Sequence, residues 1–138
     1  MEELITQLSN LKEDIVFVGG VSLVQQGIKE SANDIDIVVL NLDGLETLGE
    51  IETYTSTSEM SKSKNRGWMT VNGILIDIFI EDELPTNYIE VNGVKYETVE
   101  SIIAFYQDLL LRIDGRFKEI IQSELSDIIN SVNKTTGL

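Results

Sequence analysis

The amino-acid sequence predicts an α/β (α+β) fold, a mixed and mostly antiparallel sheet flanked by helices, with a helical C-terminal end. Three observations predict it. Helical periodicity and short apolar runs of strand type alternate at the start of the chain, two Asn-Gly pairs sit between apolar segments further on, and from Thr98 the apolar spacing is purely helical. A chain of 138 residues with 42% hydrophobic content matches one domain with a substantial core. A single domain is expected over 1–138, with its core at about 14–97 and C-terminal helices at about 98–134.

Each element has a local reason. Leu4, Ile5, Leu8 and Leu11 recur at helical spacing, and Ile15-Val16-Phe17-Val18 is a short strand-like run. Gly19-Gly20 punctuates that strand, and Val21, Leu23, Val24 and Ile28 form one side of a second helix. Ile35 to Leu40 is the next strand, and a helical or turn stretch follows around Asp43 to Glu50. Ile51 to Ser58, with Tyr54 and interspersed Thr and Ser, has the pattern of a more exposed strand. Val71-Asn72-Gly73-Ile74 and Val91-Asn92-Gly93-Val94 predict two hairpins, because Asn-Gly suits the tight type I′ turn. The first joins Trp68–Val71 to Ile74–Ile80, a strand apolar on both faces apart from Asp77 and so expected to be central and covered. Ile102, Ile103, Tyr106, Leu109, Leu110 and Ile113 make one helical stripe, Asp114-Gly115 interrupts it, and a last helix runs through Phe117, Ile121, Leu125 and Ile128.

Composition narrows the chemistry. The chain has no Cys and no His, which removes zinc-finger, zincin and haem sites together with Ser-His-Asp and Cys-His catalysis. Only hard oxygen ligands remain for a metal, and they favour magnesium, manganese or calcium. A net charge of −14 repels long polyanions and argues against an extended, non-specific nucleic-acid partner. No apolar run approaches the roughly 18 residues of a membrane span, and Met1-Glu2-Glu3 is acidic where a secretory signal is basic, so a cytoplasmic, membrane-free setting is expected.

The carboxylates carry the chemistry. In Asp34-Ile35-Asp36-Ile37 a period of two sets both acids on one strand face, and Asp77 interrupts an otherwise apolar strand where an unpaired carboxylate is costly. Each like-charge pair at about 4 Å repels by roughly 4 kcal/mol at an effective dielectric near 20, so three converging acids call for a cation or a proton. Taken singly, each feature has a plainer explanation. An Asp-x-Asp pair is commonly a solvated strand end, a lone Asp in a strand commonly binds a helix terminus, and Gly-Gly is commonly a tight turn.

Found in this order, Val16-Phe17-Val18-Gly19-Gly20-Val21-Ser22-Leu23, then Asn33-Asp34-Ile35-Asp36-Ile37-Val38-Val39, then Leu75-Ile76-Asp77-Ile78-Phe79, the chain resembles the nucleotidyltransferase superfamily with the DNA polymerase beta-like catalytic core, particularly its minimal bacterial and phage members. The resemblance covers roughly residues 14 to 80, and the C-terminal helices agree only in type. It implies metal-dependent transfer of a nucleoside monophosphate from a nucleoside triphosphate to a hydroxyl acceptor on a protein, an RNA or a small molecule, with release of pyrophosphate. It further implies that Asp34, Asp36 and Asp77 bind magnesium or manganese and act as the catalytic set, and that Gly19, Gly20 and the Ser22 hydroxyl meet the phosphates.

Two departures matter. Relatives with the Gly-Gly form place Arg and Thr or Ser shortly before the first Asp, whereas Glu30-Ser31-Ala32-Asn33 stands here, with Lys29 and Ser31 one position displaced. The densest cationic cluster is instead Lys62, Lys64 and Arg66, a candidate triphosphate contact whose plainer explanation is a solvated loop. Trp68 offers a ring for a base, although a core or strand-pairing role is the simpler expectation. Arg112, Arg116 and Lys118 lie near a helix break, where cations have structural reasons to collect, and receive no role. The alternative expectation is a catalytically silent relative that binds a protein partner through its acidic surface.

Overall fold

The computed structural model describes residues 1–57 and 64–135. Helix α1 (Glu2–Leu11) leads into strand β1 (Ile15–Val18), helix α2 (Gly19–Gln25) and strand β2 (Ile35–Val39). A single 3-10 turn (Leu45–Leu48) precedes β3 (Glu52–Thr55), β4 (Asn65–Val71), β5 (Ile74–Ile80), β6 (Tyr88–Val91) and β7 (Val94–Glu97), and helices α3 (Val99–Leu110) and α4 (Gly115–Thr135) close the chain.

The strands form one sheet in the order β3-β4-β5-β2-β1-β7-β6. The pairings β1–β2, β3–β4, β4–β5 and β6–β7 are antiparallel. Only β2–β5 and β1–β7 are parallel, so the sheet is mixed and mostly antiparallel, as the alternation of elements predicts. Both Asn-Gly hairpins form. Asn72 and Asn92 sit at φ 52°, and Gly73 and Gly93 at φ 78° and 81°, the positive values that a type I′ turn demands at both central residues.

One face of the sheet is closed. Phe17, Ile35, Ile37, Val39, Met69, Ile76 and Ile78 pack there against Leu4 and Leu8 of α1 and Leu45 of the 3-10 turn. Leu23 of α2 joins Val99, Ile102 and Ile128, which ties α2 to α3 and α4. Helix α3 starts on a cap: the Thr98 hydroxyl accepts from the Ser101 backbone N–H at 3.2 Å. No helix among the described residues is long and apolar enough to cross a membrane.

Four local expectations change. Helix α2 ends at Gln25, before Ile28, because Gly27 turns left-handed at φ 77° and breaks the helical path. Strand β4 begins at Asn65, so Arg66 belongs to a strand and not to the loop before it. Asp34 precedes β2 and is exposed, so the two acids of Asp34-Ile35-Asp36 do not share a strand face. Strand β5 is central in pairing but covered on one face only: Ile76 and Ile78 are buried, while Asp77 and Phe79 are half-buried on the other side.

Candidate functional site

The parallel pairing of β2 with β5 builds the site. Asp36 and Asp77 are register partners on adjacent strands, and side chains at paired positions project from the same face. That face is the one left open by α1. The row continues on both sides, with Val18 of β1 beside Asp36, then Trp68 of β4 beside Asp77 and Glu52 of β3 beside Trp68. The neighbouring row on the same face holds Val16, Val38, Phe79, Arg66 and Tyr54.

Asp36 is the strained member electrostatically. Burial pushes its carboxyl from 3.8 up to about 6, and the negative charges of Asp77 and Asp34 add to that, while Arg66 and Lys29 pull in the opposite direction. Gly19 is part of the same arrangement. It opens α2 at φ 63°, a conformation that suits glycine, and a Cβ there would overlap the Asp36 Oδ2. Gly19 thus serves close approach between the strand–helix turn and a carboxylate. At Gly20 a Cβ would press on the Ala32 Cβ at 3.3 Å.

Asp77 has a partner already. Its Oδ1 accepts from Arg66 Nη2 at 3.3 Å across the β4–β5 ladder. The Arg66 guanidinium lies 4.0 Å from the Phe79 ring centroid and 5.8 Å from that of Tyr54, so aromatic rings hold it on the open face. Lys64 is exposed just before β4. Lys62, grouped with these two from the sequence, lies outside the described residues.

Beside Asp36 opens a cavity of about 780 Å³, a size that suits a small molecule. Val18, Val38 and Phe79 floor it, while Ile102, Phe105 and Tyr106 of α3 wall it. Glu81, Asp82, Glu83 and Glu97 add carboxylates, and among the described residues no Lys or Arg lines it. Tyr106 registers that environment: burial raises its hydroxyl above the usual range, with Glu124, Asp36 and Glu97 adding to the effect. Glu97 is buried, and its Oε2 accepts from the Ser101 hydroxyl at 2.8 Å.

The structure therefore brings Asp36, Asp77 and Gly19 together and adds Arg66. It holds Asp34 one residue outside the strand, within electrostatic reach of Asp36. Among the described residues no three acidic side chains are gathered closely enough to cage a metal ion. Ser22 does not serve the site. It is fully buried, its hydroxyl donates to the Glu97 carbonyl, and Gln26 Nε2 donates back to its Oγ at 2.9 Å, so the expected phosphate contact from this side chain has no physical basis. Of the core or strand-pairing role expected for Trp68, the pairing is what forms: it sits in β4 between Glu52 and Asp77, 42% exposed on the open face and not in the core. The cavity acids were missed altogether. Glu97 reaches the site only through the parallel β1–β7 pairing, and a single sequence carries no local sign of a parallel partner.

No protein-family model matches the chain, and no curated protein is significantly similar to it. Among solved structures it is similar to the protein described as "Crystal structure of JHP933 from Helicobacter pylori", at 15% sequence identity and a TM-score of 0.49. The match covers 75% of this chain and 53% of that one, so the chain spans about half the length of the solved neighbour.

Proposed function

We propose that the protein transfers a nucleoside monophosphate from a nucleoside triphosphate to a hydroxyl acceptor, in a cytoplasmic setting and with magnesium or manganese. One observation carries the proposal: Asp36 and Asp77 face the same open surface as register partners, and the close approach of Gly19 brings the strand–helix turn against Asp36. Two carboxylates in that relation, one of them raised to about 6, are arranged for a cation or a proton.

The donor set suits magnesium in kind, since it consists of hard carboxylate oxygens under mutual repulsion. Asp36 and Asp77 would hold the ion, with Asp34 as a third donor from the edge of β2. When bound, magnesium supplies charge stabilisation to the phosphate oxygens around an in-line displacement. The remaining steps belong to the chain itself. Asp77 orients the acceptor hydroxyl and takes its proton as the new P–O bond forms at the α-phosphorus, the bond to the β-phosphate oxygen breaks, and pyrophosphate leaves. Arg66, hydrogen-bonded to Asp77, carries positive charge to the side from which an anionic substrate would arrive. The cavity beside Asp36 offers the acceptor a place away from the cations.

A second reading, a silent relative that binds a protein partner, draws support from the Arg66–Asp77 ion pair, which engages one of the two key carboxylates, and from the lack of a compact three-acid group among the described residues. Asp77→Asn separates the two. Under the transferase reading the variant keeps triphosphate binding by calorimetry and loses turnover by orders of magnitude, measured as pyrophosphate release in the presence of host-cell extract and each of the four triphosphates. Wild-type protein that binds no triphosphate even with manganese would overturn the transferase reading and leave the partner-binding one.

A further inference from the structure

The Asp36–Asp77 pair divides the open face into two chemically different halves. Towards β1 lies the cavity with its carboxylates and, among the described residues, no cation in its lining. Towards β3 lie Trp68 and Tyr54, 42% and 44% exposed, with the Arg66 guanidinium between the rings of Tyr54 and Phe79 and Lys64 at the strand's start. Single exposed apolar residues are ordinary on protein surfaces. Two exposed aromatic side chains on one face, Trp68 in the row of the reacting carboxylates and Tyr54 in the neighbouring row beside the Arg66 guanidinium, form a combination that binds planar anionic ligands.

We infer that this shelf is the base-binding half of the nucleotide site, with the ring of Trp68 stacking on the nucleobase. The inference rests on the transferase reading and deepens it by assigning a place to the triphosphate's organic half. Charge selects the side. A triphosphate entering the cavity meets Glu81, Asp82, Glu83 and Glu97, whereas on the β4 side it meets Lys64 and Arg66 with one exposed carboxylate, Glu52, beside Trp68. Distance agrees. Trp68 is the register partner of Asp77 on the neighbouring strand, about 4.8 Å away across the ladder, which is shorter than a nucleotide is long. Stacking accepts any base because every base has a π-face, so the shelf fixes the position of the base without naming it.

The chain has a single tryptophan, so its emission reports on this shelf alone. The full-length protein with manganese is titrated with non-hydrolysable analogues of the four nucleoside triphosphates and, separately, with inorganic tripolyphosphate. The nucleotides should quench Trp68 emission, whereas tripolyphosphate should bind by calorimetry and leave the emission unchanged. Trp68→Leu should weaken nucleotide binding by about tenfold or more and leave tripolyphosphate binding as it was, and Trp68→Phe should restore most of the loss. Circular dichroism of each variant confirms that the sheet has formed. Nucleotide binding with unaltered Trp68 emission, or equal nucleotide affinity in wild type and Trp68→Leu, would overturn the shelf and leave the transferase reading standing. If neither nucleotides nor tripolyphosphate bind, both fall together.

Discussion

Replacing Asp36 by Asn exposes how much the fold gives up to present this carboxylate. In the folded chain its carboxyl titrates at about 6 in place of 3.8, driven by burial first and then by Asp77 and Asp34. At about 1.4 kcal/mol per unit, the shift means that the ionised group costs the folded state about 3 kcal/mol. That is as much as a fully buried core side chain such as Ile37 contributes, about 1.5 to 3 kcal/mol. The folded state keeps its proton to higher pH than the unfolded chain, so this cost is absent below pH 3.8, grows as pH rises towards 6, and stays constant above it. Asn cannot ionise, and the variant escapes the cost. Urea unfolding of both proteins in chelator, at intervals from pH 4 to 8, should show similar stabilities at the acid end and an advantage for Asp36→Asn of about 2 to 3 kcal/mol at neutral pH. A stability difference that does not change with pH, or a variant less stable than wild type at pH 7, would refute this account of the site.

Three further outcomes follow from the same geometry. Millimolar magnesium should raise the wild-type melting temperature, because a ligand of the folded state alone stabilises it, and the double variant Asp34→Asn with Asp36→Asn should lose that response; equal shifts in both would count against a shared cation site. Gly19→Ala should cost about 1 to 2 kcal/mol for its left-handed φ of 63°, and should also blunt the magnesium response because the added methyl displaces the Asp36 carboxylate; a melt and a metal shift equal to those of wild type would show the close approach to be dispensable. Ser22→Ala should lower stability by about 1 kcal/mol through loss of its bonds with the Glu97 carbonyl and Gln26, with triphosphate affinity unchanged by calorimetry; a tenfold loss of affinity would return Ser22 to the phosphate site.

What was legible in the sequence was what is encoded locally. Asn72-Gly73 and Asn92-Gly93 fix their own turns, and both hairpins follow with their registers. Asp36 and Asp77 stood out because a carboxylate interrupting Val, Ile and Leu has to be explained by something outside its strand. The parts that were not legible depend on distant partners. Nothing near Arg66 shows that it will cross a strand pair to Asp77, and nothing near Ser22 shows that its hydroxyl will turn inward to the end of β7. Asp34 was expected to share a face with Asp36 because the alternation of Asp34-Ile35-Asp36 continues past the point where pairing stops. For Trp68 a core or a strand-pairing role was expected, and which of the two applies depends on the sheet face it takes, which its neighbours in sequence do not fix.

The pairing that creates the site joins strands separated in the chain by the whole of β3 and β4. Hairpin β4–β5, closed by its own two-residue turn, can form within microseconds, whereas β2 must find β5 by closing a long loop, and such non-local pairing is slow. During synthesis β2 leaves the ribosome before its partner exists. Until β5 arrives, Asp36 lacks the full burial that chiefly raises its carboxyl and the Asp77 charge that adds to it. The unusual proton affinity of Asp36 is therefore a marker of completed folding, and its appearance in time-resolved refolding would date the moment at which the two halves of the chain meet.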